Sequence, residues 1–494
     1  MDLHERIYEL ALTRSFFFPG NEPYGQVSGF YDYGPTGVLI KKKIEDLWRR
    51  KFLRNEGFHE VETALITPEP VLVASGHVKS FGDPVAECMG CKSKVRADLL
   101  YEEYAKKRWD GKMETLAKEF AKGGITCPAC GGKFEEPYMF NLMFKTGIGG
   151  SLAPAYSRPE TAQGIFTAFP RIFRNHGMKL PLAVGQVGRS FRNEISPRKG
   201  LVRMREFTQL ELEYFFDPED RSFPKFKEVE KEKVRILPPG ENGPVEATLR
   251  EIVKKKWATD EIMAYFLLKQ WDFYRSLNIP EEKMWFRVLE QGEVPHYSMG
   301  NVDMEVDTSY GVIETTGNAY RTDFDLSAHA KESGKDMGVH VEGKKGKIIP
   351  HVFELSMGVD RLFFVLLESC YRPKNEEKDW EWFDFPPAIA PYDACVFPLM
   401  KKDGLAEKAQ EVAGMLRDAG LDVFYYASGS IGKRYARADE IGVPYAITID
   451  YDTLEGDTVT VRFRNDGKQE RLKIQELAAK IREFKKEGKV SLGD

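Results

Sequence analysis

"FRNEISPRKGLVRMREF", residues 191–207, carries four arginines, one lysine and two glutamates in a chain whose formal net charge is only −5. The flanking runs "LPLAVGQVGRS" and "TQLELEYFFDP" are strand-like, so the pattern predicts two adjacent strands joined by an arginine-rich loop. Guanidinium forks match phosphate oxygens, so we interpret the loop as a phosphate site. A solvated loop whose charges pair with one another is the alternative.

A second arginine lies far along the chain, in "FELSMGVDRLFF" at 353–364. This stretch predicts a strand, then Gly358, then an apolar helix with Arg361 in its first turn. Arg192 and Arg203 flank the earlier loop and suit the two ends of one triphosphate, while Phe207 offers a ring face to a base. Three arginines from two distant segments favour the phosphate site over the solvated loop.

Composition describes an ordinary globular protein of more than one domain, with 494 residues, 42% hydrophobic and 30% charged. The mildly acidic balance argues against a protein that coats nucleic acid by bulk charge. We find no positively charged leader and no run of eighteen apolar residues, and therefore expect a soluble cytoplasmic protein without a membrane partner.

The order of elements predicts a mixed α/β (α+β) fold in two domains, residues 1–385 and 390–494, separated by the proline-rich "FDFPPAIAPYD". Apolar residues at helical spacing between Ile40 and Phe52 predict a helix, and "GFHEVETALITP" predicts a strand that ends at Pro68. Residues 87–135 and 218–290 look like insertions, the second of them helical. The last hundred residues alternate strands and helices, as a small parallel α/β domain with a closing hairpin does.

Four of the six cysteines form two C-x-x-C pairs inside the first insertion: Cys88 with Cys91, and Cys127 with Cys130. Two such pairs in a long chain without a secretion signal are typical of a zinc ribbon. Four thiolates fill a tetrahedral site, so we expect structural Zn²⁺ rather than catalytic zinc. The alternatives are a site that has lost its metal and a redox dithiol.

The two arginine segments resemble motifs of the class II aminoacyl-tRNA synthetases: "FRNE" with "VRMREF" is similar to motif 2, and "GVDR" to motif 3. The predicted helix and strand ending at Pro68 resemble motif 1, which implies a homodimer. "RPETAQGIF", "FNLMFKT", "FRNEISPR", "REFTQLELEYF" and "NAYRTDFDL" together resemble the homodimeric glycyl-tRNA synthetases. That resemblance implies an antiparallel catalytic sheet, an anticodon-binding domain, and attachment of glycine to tRNA(Gly) through glycyl-adenylate.

The resemblance also implies residue roles. Arg192 would hold the α-phosphate, Arg203 the γ-phosphate, and Arg361 the face of adenine opposite Phe207; these three arginines are the catalytic candidates. Mg²⁺ would accompany ATP, with Glu354 and Glu314 as oxygen ligands. The full set implied for ATP is Arg192, Asn193, Glu194, Val202, Arg203, Met204, Arg205, Glu206, Phe207, Glu314, Thr315, Arg321, Gly358, Val359, Asp360 and Arg361.

Glycine offers no side chain to bind, so its ammonium group must carry recognition, and carboxylates suit that task. The set that the resemblance implies for glycine is Arg96, Glu160, Phe207, Gln209, Glu211, Glu354, Ser356 and Gly358. For Arg96, a surface arginine of the cysteine module is an equal alternative. His77 is interpreted as shaping the substrate entrance.

Transfer RNA is the expected macromolecular partner. Arg198 and Lys199, in the middle of the arginine-rich loop, are predicted to meet its acceptor end. Lys433, Arg434 and Arg437 are predicted to meet the backbone of the anticodon stem, although an exposed basic helix face explains each of them as well.

Three other functions remain open at this stage. A synthetase for proline, threonine, histidine or serine has the same scaffold, but the acidic "PETAQG" and "LELEYF" argue against it. A non-catalytic synthetase-like binding protein would be free to lose Arg192, Arg203 and Arg361, all of which are present. A zinc-ribbon regulator of nucleic acid accounts for residues 88–130 alone.

Overall fold

The computed structural model describes residues 2–175, 177, 179–197, 200–290, 292–341 and 343–492. Arg198 and Lys199, predicted to meet tRNA, lie outside the described residues. Within the described part of the chain, no helix is long and apolar enough to cross a membrane.

Among the described residues, the amino-terminal region and the cysteine module contain seven α-helices and nine strands, numbered here along the chain. They are α1 (Leu3–Thr13), β1 (Phe17–Pro19), β2 (Tyr31–Tyr33), α2 (Pro35–Trp48), β3 (His59–Glu60), β4 (Ile66–Pro68), α3 (Glu69–Ala74), α4 (His77–Ser80), β5 (Gly82–Glu87), β6 (Lys94–Arg96), α5 (Ala97–Ala105), α6 (Met113–Ala121), β7 (Tyr138–Asn141), β8 (Lys145–Ile148), β9 (Ala153–Ser157) and α7 (Ala162–Asn175).

The middle of the chain builds most of the main sheet. Its elements are β10 (Leu182–Phe191), β11 (Glu206–Phe216), α8 (Phe226–Val229), β12 (Lys233–Leu237), β13 (Val245–Thr248), α9 (Leu249–Lys254), α10 (Glu261–Ser276), β14 (Met284–Val288), β15 (Asn301–Thr308), β16 (Gly311–Thr322), α11 (Phe324–Ser333), β17 (Val339–His340), β18 (Lys347–Ile348), β19 (His351–Gly358), α12 (Val359–Cys370), β20 (Tyr371–Arg372) and β21 (Trp382–Phe383).

The carboxyl-terminal domain contains β22 (Ala394–Pro398), α13 (Leu405–Asp418), β23 (Val423–Tyr425), α14 (Ile431–Glu440), β24 (Tyr445–Ile449), α15 (Tyr451–Gly456), β25 (Thr458–Phe463), β26 (Gln469–Lys473) and α16 (Ile474–Glu487). Its sheet has the order β23-β22-β24-β25-β26. The first three strands are parallel and the last two antiparallel. The predicted parallel domain is therefore mixed, because the predicted closing hairpin pairs with the parallel part.

A nine-stranded sheet in the order β13-β12-β14-β15-β16-β19-β11-β10-β3 forms the centre of the catalytic region. It is antiparallel except at the β12–β14 and β10–β3 pairs. The predicted hairpin around the arginine-rich loop is confirmed, with Phe191 opposite Glu206 at the end next to the loop. The mixed α/β fold with an antiparallel-rich catalytic sheet is thus confirmed.

Strand β11 is buried on both faces, which explains why it carries the site. Leu210, Leu212 and Tyr214 point into the apolar core shared with α10, where the rings of Tyr214 and Phe266 are 5.7 Å apart. On the opposite face Phe215 stacks on Phe169 of α7, at 4.2 Å. Since side chains alternate along a strand, the polar residues between these apolar ones share the α7 face.

Two segments differ from their predictions. "GFHEVETALITP" is not one strand: β3 pairs with β10, whereas β4 pairs with β9 in a separate three-stranded sheet with β8. Residues 218–290 are not a purely helical insertion, since β12, β13 and β14 from this segment extend the main sheet and α10 packs in its core. Both differences arise from pairing with strands distant in sequence.

The cysteine module is joined to the catalytic region by a small sheet of β5, β6 and β7. Helices α5 and α6 lie between the two cysteine pairs, as the charged middle of the insertion predicts. Their apolar side chains form a small core with Cys88 and Cys127, among them Tyr101 and Leu116. The module is a separate unit with its own core.

Candidate active site

A cavity of about 190 Å³ opens where β11, β16 and β19 meet the first turn of α12. Arginines from the loop and from α12 line it on one side, and polar side chains of the sheet line it on the other. The lining residues are Arg192, Glu194, Leu201, Val202, Arg203, Met204, Phe207, Gln209, Glu314, Thr315, Ser356, Gly358, Asp360 and Arg361. The structure thus brings the three predicted catalytic arginines together.

Arg192 lies between two aromatic rings, with its guanidinium carbon 5.2 Å from the centre of Phe81 and 5.3 Å from that of Phe207. Its Nε donates to the carbonyl of Pro159 at 3.1 Å. The rings fix the plane of the guanidinium without neutralising its charge. Arg192 therefore keeps its positive charge available for an anion in the cavity.

Arg203 is held by two carboxylates instead. Its Nε donates to Oε2 of Glu194 at 2.7 Å, and its Nη2 lies 3.5 Å from Oδ2 of Asp83. To bind a phosphate, this arginine must exchange or share its carboxylate partners. Glu194, a member of the predicted ATP set, is a partner of Arg203 in the structure.

Arg361 spans the cavity from α12. Its Nε donates to the carbonyl of Val202 at 3.2 Å and its Nη1 to the carbonyl of Glu314 at 2.8 Å. Gly358 precedes the helix in an extended conformation, so Arg361 occupies the first turn, as predicted. It bridges the arginine loop and β16 across the opening.

Five residues of the predicted ATP set do not line the cavity. Val359 is in the apolar core. The main-chain amide of Asn193 donates to the carbonyl of Leu142. Arg205 donates to the carbonyls of Ser28 and Glu194, and Glu206 pairs with Arg189. Arg321, the fifth, is buried among carboxylates beneath the sheet surface. These five support the loop and the sheet.

Glu211 lies on β11 between Gln186 of β10 and Ser356 of β19. Its Oε2 accepts from Thr161 at 2.7 Å and from Ser356 at 3.2 Å, and its Oε1 has no hydrogen-bond partner among the described residues. Burial, reinforced by the carboxylate of Glu354, raises the pKa of Glu211 well above its usual range. This free, buried oxygen suits a cation.

Glu354 and Arg321 form a buried ion pair, with Oε2 of the glutamate 2.6 Å from Nη1 of the arginine. Arg321 also donates to both oxygens of Asp325, at 2.7 and 2.8 Å, and lies 4.0 Å over the ring of Tyr297. Burial raises the pKa of Glu354 to about 7, although Arg321 opposes the shift. Glu354 does not line the ATP cavity, so a role as magnesium ligand finds no support there.

Glu160 has a partner on each oxygen: Gln163 donates to Oε1 at 2.8 Å, and Nε2 of His77 lies 3.3 Å from Oε2. Burial would raise the pKa of Glu160, but His77, Arg321 and Gln163 outweigh it and hold the pKa far below its usual range. Unlike Glu211, this carboxylate is kept ionised by its neighbours.

Arg96 pairs with two carboxylates, Asp83 and Asp98. Its Nη1 lies 2.5 Å from Oδ2 of Asp83, the same atom that faces Arg203, and its Nε donates to Asp98 at 2.8 Å. Arg96 and Arg203 line a common cavity of about 250 Å³. Arg96, predicted as a glycine ligand, therefore lies beside Arg203, since β6 carries it with the cysteine module.

Glu213 is a site residue that the sequence interpretation missed. It is completely buried, faces Glu354 across the β11–β19 pair, and neither of its oxygens has a partner among the described residues. Oxygens of Glu211, Glu213 and Glu354 lie within 4.8 Å of one another. The alternation of "LELE" could have revealed it, because it places Glu211 and Glu213 on one strand face.

The four cysteines meet as predicted. The Sγ atoms are 3.5 Å apart for Cys88 and Cys130 and 3.7 Å for Cys91 and Cys127, and all four lie within 4.8 Å of one another. Tetrahedral zinc with four thiolates requires sulfurs about 3.8 Å apart, so the donor set fits Zn²⁺. A Cβ on Gly132 would lie 3.2 Å from two of the sulfurs, which explains the glycine beside them.

In the terminal domain, the predicted basic residues differ in their exposure to solvent. Arg434 is buried and donates to the carbonyls of Pro398 and Leu399, so it supports the fold rather than facing tRNA. Arg437 lies 4.7 Å over the ring of Tyr426, and Lys433 is exposed. Two of the three residues thus stay available to a nucleic-acid backbone.

Comparison with known proteins agrees with this geometry. The family model "tRNA synthetase class II core domain (G, H, P, S and T)" matches residues 155–370, and the model "Anticodon binding domain" matches residues 393–484. Curated relatives named glycine--tRNA ligase cover nearly the whole chain. That of Methanocaldococcus jannaschii is 38% identical, over 98% of this chain and 100% of the relative.

The chain belongs to the glycine--tRNA ligases. The glycine--tRNA ligase of Pyrococcus horikoshii is also 38% identical, over 98% of this chain and 99% of its own length. That of Methanothrix thermoacetophila is 37% identical, over 98% and 97% respectively. Membership in this family accounts for the class II core and the anticodon-binding domain.

Proposed function

We propose that this glycine--tRNA ligase attaches glycine to tRNA(Gly) in two steps at the cavity between the arginine loop and β19. A glycine carboxylate oxygen attacks the α-phosphorus of ATP, the bond to the β-phosphate oxygen breaks, and pyrophosphate leaves. A hydroxyl of the terminal ribose of tRNA then attacks the glycyl carbonyl, and AMP leaves. Neither step needs a protein nucleophile, so positioning and charge neutralisation supply the catalysis.

The observation that carries this proposal is the meeting of Arg192, Arg203 and Arg361 around one cavity whose sheet side includes Gln209 and Ser356. Arg192 is assigned to the α-phosphate, Arg203 to the γ-phosphate, and Phe207 with Arg361 to the two faces of adenine. An arginine whose charge is not neutralised binds a phosphate strongly in such a partly enclosed site.

The glycine ammonium is assigned to the buried carboxylates Glu160, Glu211 and Glu354. An ammonium has three N–H donors, and the free Oε1 of Glu211 is an acceptor ready for one of them. Gln209 and Ser356 both donate toward Oε2 of Glu211, at 3.3 and 3.2 Å, and so fix its orientation. The phosphate and ammonium sides together hold the two reactants of the first step.

Magnesium is expected to enter with ATP and neutralise phosphate charge. The carboxylate of Glu314 lines the cavity and is 54% exposed, so it would hold the ion. Structural zinc is expected in the four-cysteine site. Fewer than about one zinc per chain after purification without chelator would contradict that assignment.

The 390–494 domain is assigned to the anticodon of tRNA(Gly), and residues 1–385 to the chemistry, in the cytoplasm. A homodimer is also proposed. The sheet of β4, β8 and β9 exposes Ile66 (44%) and Ile148 (44%), and Leu152 beside it is 72% exposed, which suits an apolar contact with a second copy. Light scattering should give twice the chain mass; a monomeric mass at micromolar concentration would contradict the dimer.

Exchange of labelled pyrophosphate into ATP, measured with each amino acid in turn, tests the function. Glycine alone should support exchange. Exchange with proline, threonine, histidine or serine but not with glycine would contradict the proposed substrate. No exchange with any amino acid, in a folded protein, would favour a non-catalytic binding protein.

A further inference from the structure

One short segment supports three of the proposed site residues at once. Residues 75–83, here called the backing segment, comprise α4 with its flanks and the first residues of β5. The segment leads into the cysteine module, and its side chains are absent from the substrate-binding sets above. Three of them contact Glu160, Arg192 and Arg203. These three residues are assigned above to the glycine ammonium, the α-phosphate and the γ-phosphate respectively.

His77 holds Glu160. Its Nε2 lies 3.3 Å from Oε2 of Glu160, and its Nδ1 lies 2.7 Å from Oγ of Ser75. A carboxylate can only accept, so Nε2 must carry a proton, and Oγ of Ser75, which also lies 3.4 Å from the carbonyl oxygen of Leu72, holds the ring at Nδ1. Gly76, with φ of 82°, makes the left-handed turn that brings Ser75 and His77 together. With Gln163 on the other oxygen, Glu160 has no freedom to rotate.

Phe81 holds Arg192. Its ring lies 5.2 Å from the guanidinium carbon, on which Phe207 also packs. The rings of Phe81 and His77 are themselves 4.9 Å apart. The carbonyl of Phe81 accepts from the amide of Leu142 at 3.0 Å, which ties the segment to the chain just before β8. The supports of Glu160 and Arg192 are therefore in direct contact.

Asp83 holds Arg203. Its Oδ2 lies 3.5 Å from Nη2 of Arg203 and 2.5 Å from Nη1 of Arg96. One carboxylate oxygen thus joins the arginine of the loop to the arginine of β6, at the base of the cysteine module. Arg203 can turn toward a phosphate while Arg96 keeps Asp83 in place.

We propose that the backing segment positions both halves of the active site, with His77 orienting Glu160 for the glycine ammonium and with Phe81 and Asp83 orienting Arg192 and Arg203 for the triphosphate. These are positioning residues, because each acts through the side chain it holds. The inference rests on the proposed function and assigns different residues of one segment to different substrates. Substitutions at residue 77 should change KM for glycine, and substitutions at residues 81 and 83 should change KM for ATP.

Pyrophosphate exchange with glycine and ATP varied separately tests this division. H77A should raise KM for glycine about 10-fold or more, the cost of a lost hydrogen bond to a charged group, and leave KM for ATP within about 2-fold. H77Q should recover most of that loss, because its amide can donate where Nε2 does. F81L and D83N should raise KM for ATP and leave KM for glycine nearly unchanged.

H340A is the matched control, since His340 is exposed on β17, where its Nδ1 lies near the carbonyl of Gly346. It should match the wild type in both constants. H77Q also tests whether the effect of H77A comes from misfolding. Thermal melts of each variant identify a general loss of stability. The inference is overturned if H77A leaves KM for glycine unchanged, if all three variants raise both KM values equally, or if H77Q loses as much as H77A.

These outcomes are separable from failure of the proposed function. A folded wild type without glycine-dependent exchange would contradict the function itself. A wild type that exchanges with glycine, beside an H77A variant of unchanged KM, would contradict only the positioning role.

Discussion

The two sides of the site hold charge in opposite ways. On the phosphate side, Arg203 and Arg361 have side chains 29% and 40% exposed and come from a loop and a helix start. On the ammonium side, Glu211 and Glu213 are 1% and 0% exposed on a central strand. A triphosphate arrives with its own hydration and several charges, so half-exposed cations suffice to bind it. A single ammonium is distinguished only where water is excluded and each contact is strengthened.

The free-energy cost of building this site lies on the side of the buried carboxylates. Burying a carboxylate without a cation costs free energy, and burial raises the pKa values of Glu211 and Glu213 well above their usual range. Arg203 and Arg361 incur less of this cost, because both are partly exposed to solvent and Arg203 also pairs with Glu194 and Asp83. In the proposed function, the ammonium group of glycine would relieve the unfavourable burial of these carboxylates.

The largest effect is expected on the phosphate side. R192A removes the arginine whose charge is not paired in the cavity, and should lower kcat/KM for adenylate formation by about 10³-fold with an unchanged fold. R189A is the control, since Arg189 is 60% exposed and pairs with Glu206. Circular dichroism and pyrophosphate exchange measure the two properties. Turnover equal to the wild type would refute the assignment of Arg192.

On the ammonium side, E211Q keeps the shape of the side chain but removes its charge. It should raise KM for glycine about 100-fold, since a charged hydrogen-bond partner in a dry site is lost, and leave KM for ATP nearly unchanged. Isothermal titration with ATP alone checks that the phosphate side is intact. An equal loss of affinity for both substrates would show that the two sides do not act separately.

The pH dependence of KM should also distinguish the glycine side from the ATP side. The pKa of Glu354 is raised to about 7, so its carboxyl is neutral below that pH and ionised above it. A neutral carboxyl attracts an ammonium poorly, so KM for glycine should fall as pH rises from about 6 to about 8. KM for ATP should change less. A KM for glycine that is flat over this range would contradict the buried-carboxylate account.

The smallest effect is on stability. Burial raises the pKa of Glu213 well above its usual range, so between its unfolded and folded pKa values the folded chain binds a proton that the unfolded chain releases. This carboxyl therefore destabilises the fold as pH rises from its unfolded pKa toward its folded one. E213Q should increase the free energy of unfolding by about 1 kcal/mol at neutral pH and abolish that pH dependence. Urea denaturation would measure it, and a destabilised E213Q would contradict it.

The sequence predicts the parts of this molecule that depend on local order. The arginine hairpin, the helix that begins after Gly358 and the two cysteine pairs are each encoded within a few neighbouring residues. Arg192, Arg203 and Arg361 could be assigned because each belongs to such a motif. Their meeting around one cavity then follows from β11 and β19 being neighbours in the sheet.

Features that depend on long-range pairing could not be predicted in the same way. Arg96 lies beside Arg203 because β5 and β6 pair at the base of the cysteine module, which no local pattern reveals. Arg434 looks like a tRNA contact in the sequence but is buried against the carbonyls of Pro398 and Leu399. The lack of partners at Glu213 appears only once the neighbouring strands are in place.

The contacts of a stable glycyl-adenylate analogue in a crystal of this protein test the account most directly. The account predicts the ammonium within hydrogen-bonding distance of Glu211 and Glu160, the phosphate against Arg192, and adenine between Phe207 and Arg361. An ammonium that faces solvent or Glu314, with Oε1 of Glu211 still unpartnered, would contradict it.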